Sequence, residues 1–188
     1  MFIQTEATPN PATLKFLPGC PVLGEGVADF PTRTSAAKSP LAQRLFDIEG
    51  VAGVMLGSDF ITVTKSGHDW PQLKPRVLGA IMEHFTRKLA IIEGETVQAA
   101  AREEYDPADA EIVVQIKELL ETRVRPAVAQ DGGDIVFRGF ESKSGTVFLS
   151  MRGSCAGCPS STATLKNGIE NMLRHYIPEV NGVEAVSA

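Results

Sequence analysis

Between Pro71 and Arg87 an apolar side chain returns at every fourth position, at Leu73, Val77, Ile81 and Phe85. That spacing predicts an amphipathic helix. Ser39-Pro40 predicts an earlier helix start, because serine caps well and proline suits the first turn, with Leu41, Leu45 and Phe46 as the apolar stripe. Shorter apolar runs predict strands at Phe2-Ile3-Gln4 and Leu14-Lys15-Phe16. Val51–Leu56 and Phe60–Thr64 flank Gly57-Ser58-Asp59 and read as a hairpin. Thr8-Pro9-Asn10-Pro11 between the first two strands fixes φ twice and lacks two donors, so it predicts a stiff loop.

The second half repeats the alternation of helix and strand with a different order. Ile112, Ile116, Leu119, Leu120 and Val124 mark the inner face of a helix that Pro126 should end or kink. Asp131-Gly132-Gly133-Asp134 predicts a sharp turn. Ile135–Phe140 and Thr146–Met151 follow as an antiparallel pair joined through Ser144-Gly145. A last helix spans Pro159 to Tyr176 with Leu165, Ile169, Leu173 and Tyr176 inward. Pro178 stops it, and Gly182–Val186 adds a strand. The expected fold class is α+β. It comprises two small mixed domains, the second running α-β-β-α-β with helices on one face of its sheet.

The boundary comes from the loss of pattern. From residue 91 to 106 acidic residues crowd together and large apolar ones nearly vanish after Ile92 and Val97, so this stretch buries little and reads as a linker. Asp106-Pro107 restarts structure as cap and first turn. The expected domains are therefore 1–90 and 107–188. Composition is ordinary for a globular chain, at 43% hydrophobic and 22% charged over 188 residues. A net charge of −5 argues against a general nucleic-acid binder. No apolar run reaches the ~20 residues of a membrane-spanning helix, so no membrane partner is expected. Three cysteines cannot make a full disulfide framework, which points to a reducing compartment. A start at Met1 without a basic or Arg-rich leader is the form expected of a bacterial cytoplasmic protein. A processed mitochondrial-matrix protein would look similar.

The chemistry concentrates in Gly153-Ser154-Cys155-Ala156-Gly157-Cys158-Pro159-Ser160-Ser161. Two intervening residues let both sulfurs face one metal centre, and the Cys158-Pro159 junction sets the thiols at a helix N-terminus. Unpaired N–H groups and the positive dipole end there should lower the thiol pKa. Iron–sulfur clusters take thiolate ligands, four for [4Fe–4S], and this domain offers two. A two-fold axis through the cluster would supply the other pair, so the shortage argues for a homodimer. A CxxC alone leaves other readings open. A thioredoxin-like dithiol also lies between strand and helix, although this domain lacks that fold's parallel βαβ units. Structural zinc would need two more ligands, and Cys20 could give one at most. Small buried cysteines are the plainest reading.

The wider segment, from Asp131-Gly132-Gly133-Asp134 through the cysteine loop, resembles the C-terminal domain of NifU-type proteins. So do Val124-Arg125-Pro126 and Pro178-Glu179-Val180-Asn181-Gly182-Val183. The front half is similar to the N-terminal domain of Nfu-type proteins at Thr8-Pro9-Asn10-Pro11, Leu14-Lys15-Phe16, Phe46-Asp47-Ile48-Glu49-Gly50-Val51 and Phe60-Ile61-Thr62-Val63-Thr64. The resemblance covers nearly the whole chain outside the linker. It implies an iron–sulfur cluster scaffold or carrier, not an enzyme, that receives a cluster from upstream assembly factors and passes it to apo iron–sulfur proteins. Cys155 and Cys158 match the family's ligand positions, and Cys20 does not. The resemblance also favours one [4Fe–4S] per homodimer over [2Fe–2S]. A thiol–disulfide oxidoreductase cycling Cys155 and Cys158 stands as the alternative. The first domain, with no ligand set of its own, is expected to dock partners.

Other eye-catching residues have plain readings. Asp131 and Asp134 flank a Gly-Gly turn, Arg152 is an exposed arginine, His175 suits a helix C-terminus, and Trp70 packs at a helix entry.

Overall fold

The computed structural model describes residues 2–93, 103–156 and 159–186, leaving aside the side chains of residues 159 and 161. It divides into two compact units, Met1–Val97 and Gln98–Ala188.

In the first unit, strands β1 (Gln4–Ala7), β2 (Thr13–Leu17), β3 (Ala28–Phe30), β4 (Val51–Leu56) and β5 (Ile61–Lys65) form an antiparallel sheet in the order β1-β2-β5-β4-β3. Helix α1 (Pro40–Phe46) starts as expected, with the Ser39 hydroxyl accepting from the Ala42 N–H. Helix α2 (Trp70–Thr86) buries Leu73, Val77 and Ile81 against Phe16, Leu41, Leu45, Leu56 and Val63. Two expectations shift. The first strand begins at Gln4 and not at Phe2, which is exposed; Thr5 and Glu6 hold an edge position through backbone pairing, which apolar pattern does not report. The fourth inward residue of α2 is His84, fully buried, while Phe85 is only partly so, because 3.6 residues per turn carries a strict fourth-residue repeat off the core face.

Among the described residues no well-formed hydrogen bond reaches either ring nitrogen of His84, though the backbone of Leu89 and Ala90 lies close. Burial, with Arg44 nearby, lowers its pKa, and the backbone at Ala90 and Leu89 opposes this only in part. A group held neutral in the fold but free to protonate when unfolded stabilises fully above its unfolded value, near 6.5. The stabilisation is lost as pH falls from there through the folded pKa. The first unit should therefore unfold at lower urea as pH drops below 6.5, and His84→Leu should flatten that dependence. Trp70, the chain's one tryptophan, lies in this unit and reports its unfolding by fluorescence.

The second unit opens with Asp106, whose carboxylate accepts from the Ala108 N–H and starts a short 3₁₀ turn at Pro107–Asp109. Helix α3 (Ala110–Leu119) runs into a π turn at Leu120–Val124 and on through α4 (Arg125–Gln130). Pro126 thus neither ends nor breaks the run. It supplies no N–H, its ring would press on the carbonyl four residues back, and the wider turn absorbs both, with the Arg125 N–H donating to the Leu120 carbonyl. The extra residue in that turn also corrects phase. Leu120, Val124 and Val128 step by four and would drift around a regular helix, yet all three stay buried, with Val113 and Ile116.

Strand β6 (Glu104–Tyr105) lies inside the stretch read as linker and pairs parallel to β7 (Gly133–Glu141). Gly139 permits this, since a Cβ there would stand 2.4 Å from the Glu104 carbonyl oxygen. β7 pairs antiparallel with β8 (Thr146–Gly153), and β9 (Gly182–Val186) runs parallel to β8, giving the order β6-β7-β8-β9. A bulge between Phe137 and Gly139 restores the face of Phe140, so Ile135, Phe137 and Phe140 all enter one core with Val147, Leu149 and Met151. Helix α5 (Pro159–Tyr176) adds Ile169 and Leu173 to that core. Tyr176, expected inward, is exposed beneath the Arg123 guanidinium, and Ile177 fills the core place. The architecture is α+β in both units. No helix among the described residues is long and apolar enough to cross a membrane.

Candidate functional site

The sequence places its chemistry where β8 ends, and the structure builds that place from two chain segments. The first is the turn after α4. The Asp131 N–H donates to the Val128 carbonyl and the Gly132 N–H to the Ala129 carbonyl. Gly132 itself takes φ +74°, the left-handed helix stop that glycine adopts without strain. The second is the β8 end, where Gly153 at φ +61° turns the strand and the Cys155 N–H reaches back to the Arg152 carbonyl.

The two segments are stitched together. The Ser154 N–H donates to the Gly132 carbonyl at 3.2 Å, and its hydroxyl donates to the Asp131 carbonyl at 2.6 Å. Cys155 is folded down onto the turn. A Cβ added at Gly133 would lie 2.2 Å from the Cys155 Sγ, so the sulfur sits where any side chain at 133 would have to go. The Thr162 hydroxyl donates to the Cys155 carbonyl, tying the loop forward to α5. The pair of glycines is thus more than a turn: one stops the helix and the other makes room for a thiol.

The electrostatics correct one expectation. Burial pushes the Cys155 thiol up to about 11; the Ser154 hydroxyl works against this, and the Asp131 and Asp134 carboxylates add to it. Cys158 lies outside the described residues. Cys20 is partly exposed in the other unit.

Asp134 was expected to do no more than flank the turn. It is buried, and Arg125 holds it from the side, Nε to Oδ1 at 2.8 Å and Nη2 to Oδ2 at 3.3 Å, while Nη1 of the same guanidinium reaches Glu121 at 2.6 Å. Sequence reasoning quoted Arg125 only as part of a resemblance. Its position one residue before a proline, nine residues ahead of an aspartate, gave no pattern that pairs them. Arg152 is half-buried opposite Asp134 in the strand register, Trp70 donates its indole N–H to the Pro11 carbonyl, and His175 is exposed.

Residues 3–88 match the scaffold protein Nfu/NifU N-terminal family, and residues 116–184 match the NifU-like domain. A human protein named NFU1 iron-sulfur cluster scaffold homolog, mitochondrial, is 54% identical over 99% of this chain and 72% of its own length. The chain belongs to the Nfu/NifU scaffold family. NifU-like protein 4, mitochondrial, of Arabidopsis thaliana is 52% identical over 98% of this chain, which spans just under two thirds of that relative, 65%. Among solved structures, the NifU-like protein of Saccharomyces cerevisiae aligns with 50% of this chain and 87% of its own, at 27% identity and a TM-score of 0.41. In this Nfu/NifU chain the segment 131–156, with the seat of Cys155, falls inside the NifU-like match.

Proposed function

We propose that the chain is a carrier for an iron–sulfur cluster, held as cargo between two copies by Cys155 and Cys158 of each, and passed intact to apo iron–sulfur proteins. It is a binding protein without turnover. Four thiolates suit either cluster type, and it is the family resemblance that favours [4Fe–4S] over [2Fe–2S]. The observation that carries the reading is the seating of Cys155 on Gly133 in a loop tied to two segments by Ser154 and Thr162, within the part of the chain that matches the NifU-like domain. A Cys155 thiol raised to about 11 is a poor attacking group near neutral pH, so a disulfide cycle would have to start from Cys158. The names of the relatives favour the mitochondrial matrix over a bacterial cytoplasm, and thiolate ligation needs a reducing compartment in either case.

The first unit serves as a docking module for recipients or donors. Its Thr8–Pro11 loop is stiff by internal bonding: the Thr8 hydroxyl donates to the Asn10 carbonyl, and the Asn10 side chain accepts from the Ala12 N–H.

Anaerobic reconstitution of the full chain with iron and sulfide tests the reading. The expected product is a brown species, four irons and four sulfides per two chains, with the mass of a dimer in sedimentation. A colourless monomer that instead cycles a disulfide would overturn it. Added to an apo iron–sulfur protein, the loaded dimer should transfer its cluster, and Asn10→Ala should slow that transfer at low concentration only. Equal rates at every concentration would remove the docking role from this loop.

A further inference from the structure

The π turn ends at an arginine that reaches the cysteine loop's foundation. By inserting a residue ahead of Pro126, it keeps Val124 and Val128 on the core side and leaves Arg125 at the rim of that face, partly buried. From there the guanidinium takes Asp134 through two parallel bonds and braces itself on Glu121. Asp134 follows directly on Gly133, the residue beneath the Cys155 sulfur, and stands opposite Arg152 in the register of β7 and β8.

A buried carboxylate beside the Cys155 thiol is an awkward neighbour for a cluster bound through thiolates. Each bound thiolate brings negative charge, and the interior screens it far less than water does. The Asp134 charge is felt at Cys155. Arg125 is the cation in hydrogen-bond contact with Asp134. Breaking such a pair by removing one partner is costly because the other charge stays buried and uncompensated, whereas removing both is often nearly neutral. We infer that Arg125 is a positioning residue for the cluster loop: it offsets Asp134 and fixes the strand start under Cys155, so that the loop tolerates thiolate-bound cargo. This rests on the carrier reading above.

The test compares the reconstituted full chain with Arg125→Met, Arg125→Met/Asp134→Asn and Arg125→Lys, reading the loss of cluster to excess chelator. Removing a group of this kind behind a metal ligand typically weakens binding about 10–100-fold. Arg125→Met should release the cluster faster by that factor. The double variant has neither charge nor fork, and should return to within about threefold of the wild type. Arg125→Lys keeps the charge without the fork and should fall between. Circular dichroism confirms that each variant is folded, and if Arg125→Met is not, the lysine variant carries the comparison against Arg125→Lys/Asp134→Asn. There the lysine has no charge to offset, and retention should be no worse than with Arg125→Lys alone. A double variant as leaky as Arg125→Met reduces the pair to a mechanical clasp and overturns the inference, as does an Arg125→Met that retains cluster like the wild type. A wild type that takes up no cluster overturns the carrier reading, and this inference with it.

Discussion

Cys155→Ser and Cys158→Ser should each leave the reconstituted chain essentially without iron and acid-labile sulfide, while Cys20→Ser should load like the wild type. A serine hydroxyl is not ionised near neutral pH and is a poor donor to iron, so each substitution would remove two of the four ligands of the proposed symmetric site at once. The loss should therefore be near complete, since a cluster left with one thiolate from each chain has open iron sites on both sides. Dimer formation should fall with it, because in the proposed carrier the cargo itself joins the copies. Cys20 belongs to the other unit and has no companion ligand there; no group of three or more His, Cys, Asp or Glu suited to a metal appears among the described residues. Iron and sulfide per chain and sedimentation before and after reconstitution decide the matter. A Cys20 variant as empty as the other two would sink the assignment.

Pattern carried the regular elements well, and for a physical reason. Leu73, Val77 and Ile81, or Ile169 and Leu173, are buried because a helix lays every third or fourth residue on one face, and that is legible one residue at a time. What pattern could not show was anything set by a distant partner. β6 was hidden in an acidic stretch because its two residues gain their place from backbone pairing, allowed by a glycine 35 positions later. His84 took the inward place expected of Phe85 because the true period is 3.6, not four, and Ile177, just past the end of α5, took the place expected of Tyr176. The π turn was invisible because proline announces that a regular helix cannot pass, but not which detour the core will support. At the site, spacing and resemblance singled out Cys155 as a candidate, and neither could show that burial raises its pKa. The helix-terminus argument is local, whereas burial depends on Gly133 and Ser154 coming from two separate segments.

Gly133→Ala is the sharpest single test of how the site is built. The added Cβ would lie 2.2 Å from the Cys155 Sγ, 3.1 Å from the Ser154 Oγ and 3.2 Å from the Arg152 carbonyl oxygen. The sulfur is nearest and must move, but a cysteine side chain has one rotatable bond and its backbone is held by Ser154 and Thr162. Relief therefore needs either a different rotamer or a shift of the whole loop. The other two neighbours are already tight, so the strain does not vanish when the sulfur swings away. Overpacking of this kind commonly costs about 1–3 kcal/mol. Cluster loading should suffer more than stability does, because a ligand must sit within a few tenths of an ångström of its place while a core tolerates larger adjustments. The expected result is a folded second unit, with a modestly lower denaturation midpoint and at least about a tenfold loss of cluster retention. Gly132→Ala serves as the control. It strains the left-handed helix stop, so its loss should fall first on stability and less on retention than that of Gly133→Ala. Were Gly133→Ala to load and hold cluster like the wild type, the buried seat of Cys155 would be a resting place of the empty chain, and the glycine would have no part in presenting the thiol.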